Sequence, residues 1–290
     1  MVNRFLIFSF LIILGCKSKQ NSKEDPRGSL QLAPLTSEAF KKLFLSPFAW
    51  KDVETKISAE EKKKWFKENI RWVMPEYIDS SYLAGVHVMD FNGDGINDYI
   101  YSGRGPVIFQ CSVDITNTPY SFGNRSMITD MDIVDNKVRR LYLFDILGTG
   151  GPSVEGYSIV DVVYDNDKIN FVRRIACEQI NEIALPVIYS NFEVESILDS
   201  LAARDFPIEL DTPRNYVLEL PGNQLGKILK GTRAIVAGQK KDSLNNEWYF
   251  TLVKPGFKIH GYPYMNMTFD PKDSLYRMVW SKGDGWKKVN

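Results

Sequence analysis

The amino-acid sequence predicts a mainly β protein with N-terminal helices: an antiparallel β meander carrying an acidic loop, followed by a small β barrel. Three observations predict it. From about residue 82 to 182, short runs rich in β-branched and aromatic residues alternate with Asn, Asp and Gly turn chemistry, the pattern of consecutive hairpins. Hydrophobic residues make up 44% and aromatics 13%, which is enough to bury a core rather than remain disordered. Before residue 75 the apolar residues recur at helical spacing instead.

The first sixteen residues carry Arg4, a largely apolar run over 5–14 and then Gly15-Cys16, the layout of a signal peptide. The run is too short to span a bilayer as a helix. Ile13-Leu14-Gly15-Cys16 resembles the lipobox of bacterial lipoprotein precursors, although Leu14 stands where a small residue is more usual. The resemblance implies an acylated Cys16 as first residue of the mature chain, anchored in the lipid membrane of a cell envelope. Several acyl chains give stable attachment, because each buried methylene adds about 0.8 kcal/mol. An ordinary secretory signal with an incidental Cys is the alternative. Lys17 after the Cys favours the outer membrane by the same resemblance. Residues 17–36 are polar and read as a flexible tether.

Residues 37–75 are expected to be helical. Thr36 or Ser37 caps a helix with Phe40, Leu43 and Phe44 on one face, stopped by Pro47. Ser58-Ala59-Glu60-Glu61 is a capping box, followed by an apolar stripe of Trp65, Phe66, Ile70, Trp72 and Val73 ending at Pro75. These aromatics read as core.

The β-rich segment, residues 76–210, opens on the most informative stretch of the chain. Asp90, Asn92, Asp94 and Asp98 stand at positions 1, 3, 5 and 9 of one loop, Gly95 falls at position 6, and Ile96 can offer its carbonyl at position 7. Oxygen donors at this spacing suit Ca2+, a hard cation. Tyr101 occupies position 12, where an EF-hand has Glu, and the flanking runs 86–89 and 99–102 read as strands. Strand, acidic loop and strand together resemble the FG-GAP or VCBS type of repeat over about residues 85–105. That resemblance implies a structural calcium site formed by Asp90, Asn92, Asp94, Ile96 and Asp98. The same residues would also make a metal-free turn, since Asn-Gly and Asp-Gly are strong turn formers.

Val134-Asp135-Asn136-Lys137-Val138 and the stretch 164–169 read as hairpins, and 139–145 and 159–164 as further strands. The glycine-rich stretch 147–152 lacks a phosphate-loop Lys and reads as a turn. Val194, Ile197, Leu198 and Leu201 have helical spacing, which predicts an amphipathic helix over 192–205 closed by Pro207.

Residues 211–290 are expected to form the barrel. Residues 227–236, with Lys230-Gly231-Thr232, followed by Trp248-Tyr249 within 247–253, resemble the bacterial SH3-like domain. The resemblance implies binding of cell-wall or peptide ligands, with Trp248 and Tyr249 as either ligand-binding residues or barrel core and rim.

Lys plus Arg and Asp plus Glu both number 36, and removing Arg4 with the signal leaves 35 against 36, so no field attracts nucleic acid. Cys111 and Cys177 could pair as a disulfide in an exported chain if the fold brings them together. His87 and His260 are the only histidines, too few for an ordinary zinc centre. No serine-hydrolase, metallopeptidase or cysteine-nucleophile pattern stands out, although Cys111 or Cys177 could meet His87 or His260 in space. The sequence therefore reads as a non-catalytic cell-envelope lipoprotein that binds a protein, glycan or peptidoglycan partner. A cell-wall hydrolase or hydrolase-associated protein is the alternative.

Overall fold

A computed structural model describes residues 32–45, 48–111, 120–122, 126–147, 154–165, 168–179, 183–210, 222–254 and 275–289. Cys16, Pro47, His260 and nearly all of the glycine-rich stretch 147–152 lie outside these residues. The described part is mainly β.

Three α-helices precede the strands. In α1 (Ser37–Leu45) the backbone N–H of Ala39 donates to Thr36 Oγ1 at 3.2 Å, which identifies Thr36 as the cap, and Ala39, Phe40, Leu43 and Phe44 form the buried face. In α2 (Ala59–Asn69) Ser58 Oγ accepts from the Glu61 N–H at 3.1 Å, half of the expected capping box. The Glu61 side chain makes no return bond and instead accepts from the Tyr99 hydroxyl at 2.9 Å. This helix ends earlier than expected. Asn69 Nδ2 donates to the Trp65 carbonyl at 2.9 Å, satisfying a last-turn acceptor, and Trp72 lies beyond the helix, 46% exposed rather than in the core. Asp79 caps the short α3 (Ser80–Leu83).

The strands form two sheets. The first is antiparallel and four-stranded, β1 (Val86–Met89), β2 (Asp98–Tyr101), β3 (Val107–Gln110) and β4 (Tyr120–Phe122) in that order. The second begins with the expected meander, β5 (Ser126–Val134), β6 (Lys137–Leu147), β7 (Val154–Asp165) and β8 (Lys168–Gln179). Asp135 and Asn136 have φ of 51° and 57°, the left-handed pair that a two-residue hairpin turn requires.

The same sheet continues with β9 (Ile188–Ser196), β10 (Ser200–Arg204), β11 (Gln224–Leu229), β12 (Arg233–Lys241), β13 (Glu247–Val253), β14 (Leu275–Lys282) and β15 (Trp286–Lys288). Its order is β15-β9-β12-β13-β14-β8-β7-β6-β5, with β10 pairing both β11 and β14. All its pairings are antiparallel except β14 with β8, where Leu275, Tyr276 and Arg277 lie beside Ala176, Cys177 and Glu178. The sheets are not closed into a barrel.

The helix expected over 192–205 is instead β9, a turn, and β10. Ser190, Val194 and Ser196 are buried on a two-residue period, and Ile197 and Leu198 fall in the turn, each 43% exposed. Their helical spacing was produced by two strands out of phase across a bend. Pairing of β9 with β12 and of β10 with β11 also crosses the boundary expected at residue 210.

Strands β6 to β8 are buried on both faces. Leu141, Leu143, Val160, Val162 and Ile169 join Phe91, Ile100, Phe109 and Cys111 in one apolar cluster. Tyr142, Ile159, Ile175 and Cys177 join α1 and the residues of β9 to β15 in the other. A third cluster seats α2 on the first sheet through Trp65, Phe66, Tyr101 and Ile108.

Candidate functional site

The β1–β2 pairing brings Met89 opposite Asp98, so residues 90–97 are held as a loop between two fixed strand ends. Asp90 is the hub of that loop. Its Oδ1 accepts from the N–H groups of Gly93 (2.7 Å) and Asp94 (3.1 Å), and its Oδ2 from Gly95 (2.9 Å). Asn92 Oδ1 accepts from the Asp94 N–H (3.0 Å), Asp94 Oδ1 from Ile96 (2.8 Å), and Asp98 Oδ2 from Phe91 (2.8 Å). Gly93 and Gly95 have φ of 72° and 84°, which lets successive amides turn inward onto these oxygens. Asp98 is fully buried, Asn92 buried, and Asp94 and Ile96 exposed.

Phe91 anchors the loop. It is fully buried against Phe109 at a centroid distance of 5.0 Å, and its carbonyl accepts from the Val138 N–H and the Tyr164 hydroxyl, both at 3.0 Å. The donor set is all hard oxygen, chemistry that fits a calcium-sized cation. Among the described residues, however, no group of three or more His, Cys, Asp or Glu stands in an arrangement that could hold a metal ion. The loop as it stands is stabilised by its own amides.

A cleft of about 640 Å³ opens beside the loop, lined by the α2 face and by Ile96, Asn97, Tyr99 and Gln110. Trp65 stacks on Tyr99 with centroids 5.4 Å apart and an interplanar angle of 10°, and Trp65 Nε1 donates to Gln110 Oε1. Burial, then the bond and charge of Glu61, raise the Tyr99 pKa, so its hydroxyl stays a donor to that carboxylate. Sequence reasoning missed this cleft. Its walls come from three elements, and the one legible sign was Glu61 at the N3 position of α2, whose side chain serves the cleft and not the cap.

On the far edge of β1, His87 stacks on Trp50 at 3.7 Å and 8°, and its Nδ1 meets Glu54 Oε2 at 3.0 Å. The Thr55 N–H donates to the Val88 carbonyl (2.6 Å) and Thr55 Oγ1 to Asn97 Oδ1 (3.0 Å), so residues 54 and 55 cover the edge of β1 and reach the loop.

Of the remaining candidates, Cys111 lines the cleft beside Gln110, whereas Cys177, Trp248 and Tyr249 are not among its walls. Cys111 and Cys177 are not joined in a disulfide. They sit in different apolar clusters, on opposite faces of β6 to β8, so the sheet itself separates them. Burial first, then the Asp145 charge, push the Cys177 thiol up, and its Sγ donates to the Tyr157 carbonyl at 3.6 Å; that is a core thiol and not a thiolate nucleophile. Trp248 is 1% exposed with its Nε1 on Asp242 Oδ2 at 3.0 Å, and Tyr249 is 8% exposed with its hydroxyl on Glu247 at 3.2 Å. Both are packing residues where they stand, with no open face for a ligand. No helix among the described residues is long and apolar enough to cross a membrane.

No protein-family model matches the chain, and no curated protein or solved structure matches it at a significant level.

Proposed function

We propose that this protein is a non-catalytic cell-envelope lipoprotein, anchored through acylated Cys16, whose calcium-clipped β region holds a protein, glycan or peptidoglycan partner. The observation that carries the reading is the loop at residues 90–98: oxygen donors at positions 1, 3, 5 and 9, two left-handed glycines, and two strand ends that fix its mouth. Calcium binding would draw Asp90, Asn92, Asp94, Asp98 and the Ile96 carbonyl towards one centre, relieving repulsion among three carboxylates. The exposure of Ile96 and the open space around Gly95 are compatible with that shift.

The C-terminal strands support an SH3-like module in one respect. β9 runs into β10 and β11 into β12 across bends at 197–199 and 230–232, and β10 returns to β14 at the single pair Arg204 and Trp280. Those bends and the β10–β14 return favour such a module, although the sheet is not closed into a barrel.

The test is recovery of the anchored protein from its own envelope with and without chelator. Calcium-dependent co-purification of a partner, and loss of acyl label and membrane association in a Cys16→Ala variant, are the expected results. An unchanged partner set in chelator removes calcium from the reading, and an unlabelled wild type removes the anchor.

A further inference from the structure

We propose that the cleft between α2 and the β2–β3 ribbon binds a neutral oligosaccharide, with Glu68, Asn97 and Lys64 as the residues that grip it. This deepens the glycan option of the proposed function and rests on the binding role argued there, but not on calcium.

The cleft has the size of a ligand site, about 640 Å³ against the roughly 300–1,000 Å³ typical of small-molecule pockets. Its walls are braced before any ligand arrives. Tyr99 and Gln110 are register partners on β2 and β3, and each is tied to α2: Tyr99 through its hydroxyl to Glu61, and Gln110 through the Trp65 indole. Such bracing cuts the ordering cost of binding. The helix contributes Glu61, Lys64, Trp65 and Glu68, which fall at i, i+3, i+4 and i+7 and so share one face.

The polar groups left over decide the ligand class. Asn97 commits its oxygen to Thr55 and Asn69 commits its NH2 to the Trp65 carbonyl, so one supplies donors and the other an acceptor. Glu68 supplies acceptors and Lys64 donors, both from exposed side chains. Two carboxylates and one ammonium leave a single excess negative charge, partly engaged by the Tyr99 hydroxyl. An anion would meet Glu61 and Glu68, and a polycation would meet Lys64 with little field to hold it. Donors from Lys64 and Asn97, acceptors from Glu68 and Asn69, and the apolar side chain of Ile96 at 57% exposure together match a chain of hydroxyls with C–H faces. Trp65 is only 6% exposed, so the ring stack offers an edge and hydrogen bonds carry the grip.

The experiment is saturation-transfer NMR and calorimetric titration of the full chain with three neutral tetrasaccharides: β-1,4-linked glucose, β-1,4-linked N-acetylglucosamine and α-1,4-linked glucose. Pentalysine and tetragalacturonate are the charged controls, and each titration is run in calcium and in chelator. Binding of at least one neutral tetrasaccharide, weakened tenfold or more in both Glu68→Ala and Asn97→Ala, is the expected result. Both substitutions fall on exposed residues, and an unchanged thermal midpoint confirms the fold. No binding of any neutral sugar, equal binding by wild type and both variants, or preference for either charged control overturns the proposal. Saccharide binding without calcium binding overturns the loop's metal role and leaves the cleft standing; calcium binding without saccharide binding does the reverse.

Discussion

At the scale of single residues, His87 is a side chain whose charge the fold controls near neutral pH. Burial disfavours its protonated form, the Glu54 carboxylate partly restores it, Lys62 opposes it again, and the pKa lies below the ordinary 6.5. The folded protein therefore takes up this proton less readily than the unfolded chain does. Stability from this group is complete above pH 6.5 and is lost as pH falls from there through the lower folded value, because the unfolded state then binds more protons. Urea midpoints measured from about pH 7.5 down to about pH 5 should fall for the wild type, across the window where an imidazole titrates. His87→Gln should flatten that slope, and an unaltered slope would remove His87 as its source. Glycine positions offer a second residue-level check. A Cβ at Gly95 meets only its φ of 84°, whereas one at Gly93 would also sit 2.9 Å from the Asn136 carbonyl oxygen. Gly95→Ala should cost about 1 kcal/mol, and Gly93→Ala should lower the thermal midpoint further.

At the scale of elements, legibility in the sequence tracked how local the physics was. Asp135-Asn136 announced its hairpin because the left-handed turn is decided by two adjacent residues. Ser58 announced the start of α2 for the same reason, and Ser58→Ala should lower stability by about 1 kcal/mol in chemical unfolding, since it orphans the Glu61 N–H. Val194, Ile197, Leu198 and Leu201 misled because four apolar residues can fit two periods when a bend lies between them. The acidic loop was legible as a set of donors, but whether its oxygens serve a cation or the loop's own amides depends on side-chain orientation that no spacing encodes. With about 1 mM calcium and a dissociation constant of about 0.1 mM, binding would add about 1.4 kcal/mol. Calorimetric melting in calcium against chelator should then show a small upward shift of a few degrees that Asp90→Asn abolishes, and identical midpoints would count against a calcium loop of that affinity.

At the scale of the whole molecule, one strand pairing among the described residues joins the meander to the C-terminal strands within a continuous sheet: the parallel pairing of β14 with β8. Nothing local marks it, for Leu275 and Ala176 are neighbours across a sequence separation that no hairpin signal spans. Parallel pairing brings Arg277 beside Glu178, and the two form an ion pair with side-chain exposures of 19% and 4%. Burial alone lowers the Arg277 pKa to about 10, so its charge is poorly solvated where it stands, and removing Glu178 takes away its counter-ion. Glu178→Ala should therefore destabilise the protein by about 3–5 kcal/mol. Replacing both at once with Met, which fills similar volume without charge, should recover most of that loss. The comparison of single and double variants by chemical unfolding distinguishes a pair that fixes the register of the seam from one that merely fills it. A double variant as stable as the wild type that still unfolds in one step assigns the seam's strength to Tyr276, Cys177 and their apolar neighbours. A double variant that unfolds in two steps assigns to the ion pair the coupling between the β5–β8 half of the sheet and the half built from β9 to β15.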